Sequence, residues 1–301
     1  MAEIAQVWKD INLSEHKQLA RAISRVENNG QGYRKWLSGL NIDLKVPVIG
    51  ITGPPGAGKS TLVNGLISYY TSQGSKVGVI AVDPTSPFNM GSLLGDRIRM
   101  SEHYNNPNVY IRSLATRGSL GGLSAKTIEI TDVIKAASFD YIIIETVGVG
   151  QSEIEIAGIA DTTVVVLVPE GGDEIQNLKS GIMEIADIFV VNKADRPGSD
   201  LFKANLIKML HQKPTSAWDV PVVACVATEK KGIEALTQFI EAHHKSNHVN
   251  SKRPYLFAEK AYQLIQSARM KDIDKRELVE IIKMKLQEGE FNLYSFVEGL
   301  S

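Results

Sequence analysis

Eight residues constrain this chain more than any others: Gly53-Pro54-Pro55-Gly56-Ala57-Gly58-Lys59-Ser60. They fit G-x-x-x-x-G-K-[ST], the pattern of a phosphate-binding loop. Glycines let the backbone curl until several N–H groups face one phosphate, and a helix beginning just after the loop adds a field favourable to anions. Such a loop works between a buried strand and a helix. The sequence offers both, with Val48 to Thr52 leading in and a helix from about Ser60 to Gln73 following. Lys59 is placed to reach the β- and γ-phosphates, and the Ser60 hydroxyl to bind Mg²⁺. The backbone of Gly53, Gly56, Ala57, Gly58 and Thr61 completes the cradle. A bound nucleotide is the expectation.

The rest of the chain is read around that loop. Short apolar runs alternate with helical stretches: Val77 to Val82, Tyr141 to Glu145, Thr163 to Val168, Ile188 to Asn192 and Val222 to Cys225. They are rich in Val and Ile and lack polar alternation, as strands buried on both faces do. The fold class is therefore α/β, a mostly parallel sheet with helices on both faces. A weaker run, Val109 to Arg112, reads as an edge strand. Before the sheet, Leu19, Ala22, Ile23 and Val26 share a helical face after a cap at Ser14, and Asn28-Asn29-Gly30 ends that helix. A shorter helix is expected around Tyr33 to Leu40. After about Asn247 the strands stop, and two amphipathic helices follow, Tyr255 to Ala268 and one marked by Leu278, Ile281 and Ile282. They either pack on the main domain or form a dimerisation arm. The domain expectation is a helical extension over 1–45, a P-loop domain over 46–247 and a helical arm over 248–301.

Composition removes other classes. Among 301 residues, 33 are Lys or Arg and 34 are Asp or Glu. A protein held on nucleic acid by phosphate contacts shows a basic excess, so nucleic acid is set aside. The single cysteine allows neither an internal disulfide nor a cysteine-based metal site. No apolar run reaches bilayer-spanning length, and MAEIAQVWKD lacks the basic-then-apolar order of a signal peptide. The expectation is a cytoplasmic protein with no membrane partner.

The base is indicated by Asn192-Lys193-Ala194-Asp195, which matches N-K-x-D at the end of a buried strand. An Asp195 carboxylate accepts two hydrogen bonds from guanine, at N1–H and the 2-amino group; adenine leaves it unpaired. Asn192 supports the loop and the Lys193 stem covers the ring. Cys225-Val226-Ala227 stands where S-A-x is usual. Its Ala227 N–H is placed for guanine O6, but Val226 replaces the serine that supports such a loop. Glu145-Thr146-Val147-Gly148 stands in the place of D-x-x-G. The Gly148 N–H is expected to meet the γ-phosphate, and the Glu145 carboxylate to sit near Mg²⁺. Val149 follows where Ras-like enzymes carry the water-orienting glutamine, which implies slow hydrolysis by the protein alone. Gln151 substitutes for it only if the loop rearranges. Asp83, after the second strand, and Asp96 are further Mg²⁺ candidates, since one or two carboxylates usually suffice; Asp96 by itself reads rather as a solvated loop charge.

Together these blocks, with Thr116-Arg117-Gly118-Ser119-Leu120-Gly121-Gly122, Glu145 to Glu153 and Gly172-Asp173-Glu174-Ile175-Gln176, resemble the MeaB/ArgK GTPases. That family is the bacterial counterpart of the human methylmalonic aciduria type A protein. The resemblance covers about residues 46–240. It implies a homodimeric GTPase of the SIMIBI group that binds GTP/GDP and Mg²⁺. It also implies a chaperone role toward an adenosylcobalamin-dependent acyl-CoA mutase, usually methylmalonyl-CoA mutase, gating cofactor loading and protecting the mutase. The family's Mg²⁺ and phosphate residues carry over onto Lys59, Ser60, Asp83, Asp96 and Glu145. Glu153, Asp173, Glu174 and Lys179 fall in switch-like segments that would sense the partner.

Two other classes are weighed against this one. A metal-delivery GTPase commonly carries His- or Cys-rich sites, and His243, His244 and His248 cluster here, with 244 and 248 spaced for one helix face. The plainer reading of that cluster is a solvated turn before a polar linker. A regulatory module that holds GTP without turnover is opposed by the complete set of Lys59, Ser60 and carboxylates. Cys225, in an apolar run, reads as a core residue, and Trp8, Trp36 and Trp218 as packing residues.

Overall fold

The computed structural model describes residues 8, 11–83, 100–115, 126–146, 152–169, 182–211, 218–246, 253–270, 273, 275–289 and 291–299. The chain divides into two compact units, 1–253 and 254–301.

Among the described residues the first unit is built on seven strands: β1 (Val48–Thr52), β2 (Val77–Asp83), β3 (Val109–Ala115), β4 (Tyr141–Glu145), β5 (Thr162–Leu167), β6 (Ile188–Val191) and β7 (Val222–Ala224). All their pairings are parallel, in the order β3-β2-β4-β1-β5-β6-β7. The continuous Val/Ile runs are explained by burial on both faces. In β5, Val164 and Val166 enter one core and Val165 and Leu167 the other. In β6, Ile188 and Val190 part from Phe189 and Val191 in the same way.

The helices of this unit are α1 (His16–Glu27), α2 (Tyr33–Leu37), α3 (Lys59–Ser72), α4 (Thr127–Lys135), α5 (Ser152–Ile159), α6 (Ile182–Ile185), α7 (Ser199–Leu210) and α8 (Ile233–Lys245). Leu62, Leu66 and Tyr70 of α3 and Leu236 and Ile240 of α8 fill the larger core. Ala157 of α5 and Phe202 and Leu206 of α7 fill the other. The amphipathic α1 buries Leu19, Ala22, Ile23 and Val26 as expected, and its Glu27 pairs with Arg112 of β3. Its N-cap is Glu15 rather than the expected Ser14, with no side-chain cap bond; the Ser14 N–H is taken by the Asn12 side chain, 3.1 Å away. Trp8 lies on Trp36, ring centroids 4.7 Å apart.

Three of the strands, β1, β2 and β5, share one device at their N-terminal ends. Asp140, Asp161 and Asp187 each stand just before a strand. Their carboxylates accept from the backbone N–H of Lys76, Val48 and Thr163 at 2.7, 2.8 and 2.7 Å. Each aspartate thus fixes where a neighbouring strand begins, satisfying a donor that the ladder leaves open. Asp161 also pairs with Arg253 at 2.6 Å.

The second unit holds most of α9 (Arg253–Arg269), with α10 (Lys275–Gln287) and α11 (Leu293–Glu298). Asn292 caps α11, its side chain accepting from the N–H groups of Tyr294 and Ser295. Apolar side chains of this unit are exposed: Tyr255, Tyr262, Ile265, Met284, Leu286 and Tyr294 among them. No helix among the described residues is long and apolar enough to cross a membrane.

Candidate functional site

The site lies at the C-terminal edge of the sheet, where parallel strands end in loops that hold ligands. β1 runs into the glycine-rich loop. Gly53 has φ of +139°, and a Cβ there would stand 2.1 Å from the Val166 carbonyl oxygen, so glycine is demanded twice over. Gly58, φ +85°, caps α3; a Cβ there would meet the Asn192 amide nitrogen at 2.4 Å. The first N–H groups of α3 therefore open onto the loop without a capping side chain, the arrangement that binds anions. Lys59 is buried, its ammonium donating to the Gly53 and Pro54 carbonyls at 2.8 and 3.0 Å. The loop thus holds its own cation in place. Ala57 is fully buried and Thr61 half-buried beside it.

Ser60 follows Lys59, and its hydroxyl donates to Glu145 Oε1 at 2.6 Å. Both residues are buried. A hydroxyl and a carboxylate oxygen converging beside a phosphate loop are the hard, oxygen-only donors that Mg²⁺ accepts, so these residues fit that ion. Asp83 is the last residue of β2, at the same edge of the sheet. Asp96, Gly148, Val149, Gln151, Asp173, Glu174 and Lys179 lie outside the described residues, as does the side chain of Glu153.

Asn192 joins the two halves of the site. Its Nδ2 donates to the Ala57 carbonyl at 2.8 Å, and its Oδ1 accepts from the Ala227 N–H at 3.1 Å. One buried amide therefore ties the phosphate loop to both candidate base loops. The Ala227 N–H, expected to address guanine O6, is a donor already engaged by Asn192. Lys193 takes a left-handed conformation, φ +55°, half-buried, and Asp195 is exposed beyond it. The loop with Val226 in place of serine is held by other means. Val226 and Lys231 exchange backbone bonds at 3.1 and 3.2 Å, and the Ala194 N–H donates to the Cys225 carbonyl at 3.0 Å. The Ser199 hydroxyl adds a bond to the Ala194 carbonyl, 2.8 Å. Ser199 was not singled out in the sequence; a lone serine opening a helix gives no signal there. Cys225 is buried and its thiol is pushed up to about 12 by burial, which leaves it inert as a nucleophile.

The histidine cluster needs correction. His243 is not in a solvated turn. It is buried on α8, its Nδ1 2.9 Å from the Thr162 hydroxyl, beside Asp187 and edge-on to Trp218. α8 ends at Lys245, short of His248, which lies outside the described residues. Among the described residues no group of three or more His, Cys, Asp or Glu is placed to hold a metal ion.

Comparison with known proteins now bears on this geometry. The family model for "Methylmalonyl Co-A mutase-associated GTPase MeaB" matches residues 19–280. The chain belongs to the MeaB family of GTPases. It is 42% identical to a putative GTPase of Pyrococcus horikoshii over 299 residues, covering 96% of this chain and 94% of that one. It is 32% identical to the GTPase ArgK of Escherichia coli, covering 97% and 86%. With the mitochondrial methylmalonic aciduria type A homolog of Mus musculus it shares 35% identity, over 80% of this chain and 61% of that one. Among solved structures, a LAO/AO transport system kinase superposes with a TM-score of 0.66 at 22% identity, covering 99% of this chain and 96% of that one; this MeaB-family chain shares its fold. The α/β class and parallel sheet expected from the sequence are thereby established.

Proposed function

We propose that this chain is a Mg²⁺-dependent GTPase that acts as chaperone of an adenosylcobalamin-dependent acyl-CoA mutase, methylmalonyl-CoA mutase first among the candidates. It gates cofactor loading and protects the mutase. The observation that carries the GTPase part is the Asn192 bridge, which holds an N-K-x-D loop against the phosphate loop in one buried unit. The mutase part is supported by the family description and by the name of the mouse relative.

The chain's own residues divide the work. Lys59 neutralises the β- and γ-phosphates, and the loop and α3 N–H groups bind their oxygens. Ser60 and Glu145, with Asp83 and Asp96, would hold Mg²⁺, which would supply charge neutralisation to the phosphates. The Gly148 N–H senses the γ-phosphate. Asp195 selects guanine and the Lys193 stem covers its face; the Ala227 N–H, taken by Asn192, braces the loop instead. With Val149 where a water-orienting glutamine is usual, turnover alone is slow. The mutase raises it by ordering the switch segments around Glu153, Asp173, Glu174 and Lys179, and reciprocity requires the nucleotide to change mutase affinity in turn. The exposed apolar side chains of residues 254–301 support a homodimer formed through that arm.

Phosphate release from GTP and ATP, with and without candidate B12-dependent mutases, tests this. The expected result is slow, GTP-only turnover that one mutase accelerates. GTP turnover unchanged by every mutase overturns the chaperone role. ATP turnover at a similar rate overturns the role given to Asp195.

A further inference from the structure

At the seam between β1 and β4, Thr146 donates its hydroxyl to the Thr52 hydroxyl at 2.9 Å. The two residues are 1% and 0% exposed. Their places in the chain give the contact its interest. Thr52 is the last residue before Gly53, and Thr146 is the first after Glu145. β1 and β4 pair in register up to Ile51 and Glu145. The Thr146 N–H then donates to the Ile51 carbonyl at 3.0 Å, and the hydroxyl pair adds a second bond beyond the strands.

The phosphate loop is therefore pinned at both ends to two consecutive residues. Its start is held through Thr52 to Thr146. Its far end is held through Ser60 to Glu145 at 2.6 Å. Packing alone does not call for this. Apolar side chains fill the strand positions just behind, at Ile49, Ile51, Ile143 and Ile144. Valine has the shape of threonine and buries more favourably, whereas a buried hydroxyl costs unless it is paired. What the pair adds is direction, since a hydrogen bond fixes geometry that apolar contact leaves soft.

We propose that Thr52 and Thr146 are positioning residues for GTP hydrolysis. They lock the end of β4, from which the chain runs on to Gly148, to the root of the phosphate loop, so that the Glu145 carboxylate and the start of that run are set in one fixed relation. This rests on the reading that Gly148 carries the γ-phosphate contact.

The test compares Thr146→Val, Thr52→Val, the double variant and Thr146→Ser in the full-length chain, measuring thermal unfolding, GDP affinity and GTP turnover. The double variant leaves neither hydroxyl orphaned, so its stability returns to the wild-type range even where a single variant unfolds. Positioning then shows as kcat roughly 3–10-fold low in that stable double variant, with GDP affinity within about twofold and turnover restored in Thr146→Ser. If the pair only satisfies buried hydroxyls, the double variant regains turnover together with stability, and the proposal falls. Gly148→Pro, which removes the N–H itself, separates the two levels. Wild-type turnover in Gly148→Pro overturns the γ-phosphate reading and this inference with it. A slow Gly148→Pro beside a fast double variant overturns the threonine pair alone.

Discussion

Replacing Asn192 by alanine tests the join between the two halves of the site. The change removes two hydrogen bonds and leaves two buried backbone groups without partners, the Ala57 carbonyl and the Ala227 N–H. Each orphaned group costs about 1–3 kcal/mol, which sums to roughly 2–6 kcal/mol, and water entering the vacated space returns part of it. About 3 kcal/mol is the expected loss. For a domain of this size each kcal/mol moves Tm by about 2–4 °C, so the shift is about 6–12 °C downward. Urea titration and thermal unfolding followed by circular dichroism read it directly. Calorimetric titration with GDP reads the second consequence, an affinity at least tenfold weaker, because the phosphate loop and base loop no longer hold each other ready. Asn192→Asp sharpens the argument. It keeps an acceptor for the Ala227 N–H but sets a carboxylate against the Ala57 carbonyl, and is expected to be no more stable than the alanine variant. An Asn192→Ala protein within about 0.5 kcal/mol of wild type, binding GDP normally, refutes the reasoning.

Three further outcomes are expected. Gly53→Ala forces a Cβ against the Val166 carbonyl at a backbone angle alanine resists, and is expected to cost about 3 kcal/mol or more and abolish GDP binding, read by thermal shift with and without nucleotide. Burial, with Glu129 adding to it and Lys135 and Arg253 opposing, pushes Asp132 up to about 6. Its ionisation therefore opposes folding, and the chain loses stability through this group as pH rises from about 4 to above 6. Asp132→Asn is expected to stabilise by about 1–3 kcal/mol at pH 8 and by almost nothing at pH 4, so equal gains at both pH values in urea titrations contradict it. Tyr262→Lys with Ile265→Lys on the exposed face of α9 is expected to reduce the mass in light scattering from twice 33.0 kDa to 33.0 kDa; a monomeric wild type removes the dimer.

Much of the sheet was legible because its strands are buried on both faces and read as unbroken Val/Ile runs. Its margins were not. β3 was read only to Arg112, since Ser113 interrupts the run, yet it pairs with β2 as far as Ala115. β5 was read from Thr163 to Val168 but runs from Thr162 to Leu167; the Thr162 hydroxyl is satisfied inside the fold by His243, far away in sequence. The three strand-starting aspartates carry a faint pattern, one acidic residue before each apolar run, whose meaning depends on a neighbouring strand far away in sequence. The same limit holds in the site. The glycine-rich loop is local, so its geometry can be read from eight residues. The Thr52–Thr146 pair joins residues 94 apart, and threonine near a strand end is too ordinary to signal it. His243 misled for the opposite reason: polar neighbours suggested water, whereas α8 turns that one position inward against Thr162 and Trp218.

The placement of β1 at the middle of the sheet has a consequence for biogenesis. Its two neighbours are β4 and β5, and register joins Ile49 to Ile143 on one side and to Thr162 on the other. The strand made first therefore waits for more than a hundred residues to be translated before its second edge is covered. At about 5–20 residues per second this takes roughly 6–20 s, during which an apolar strand offers open backbone to any passing chain. The phosphate loop is not braced early either, because Asn192, which bonds its Ala57 carbonyl, leaves the ribosome later still. Ribosome stalling or truncation between β1 and β5 should thus yield aggregation-prone nascent chains, and chaperone capture during synthesis should peak in that window.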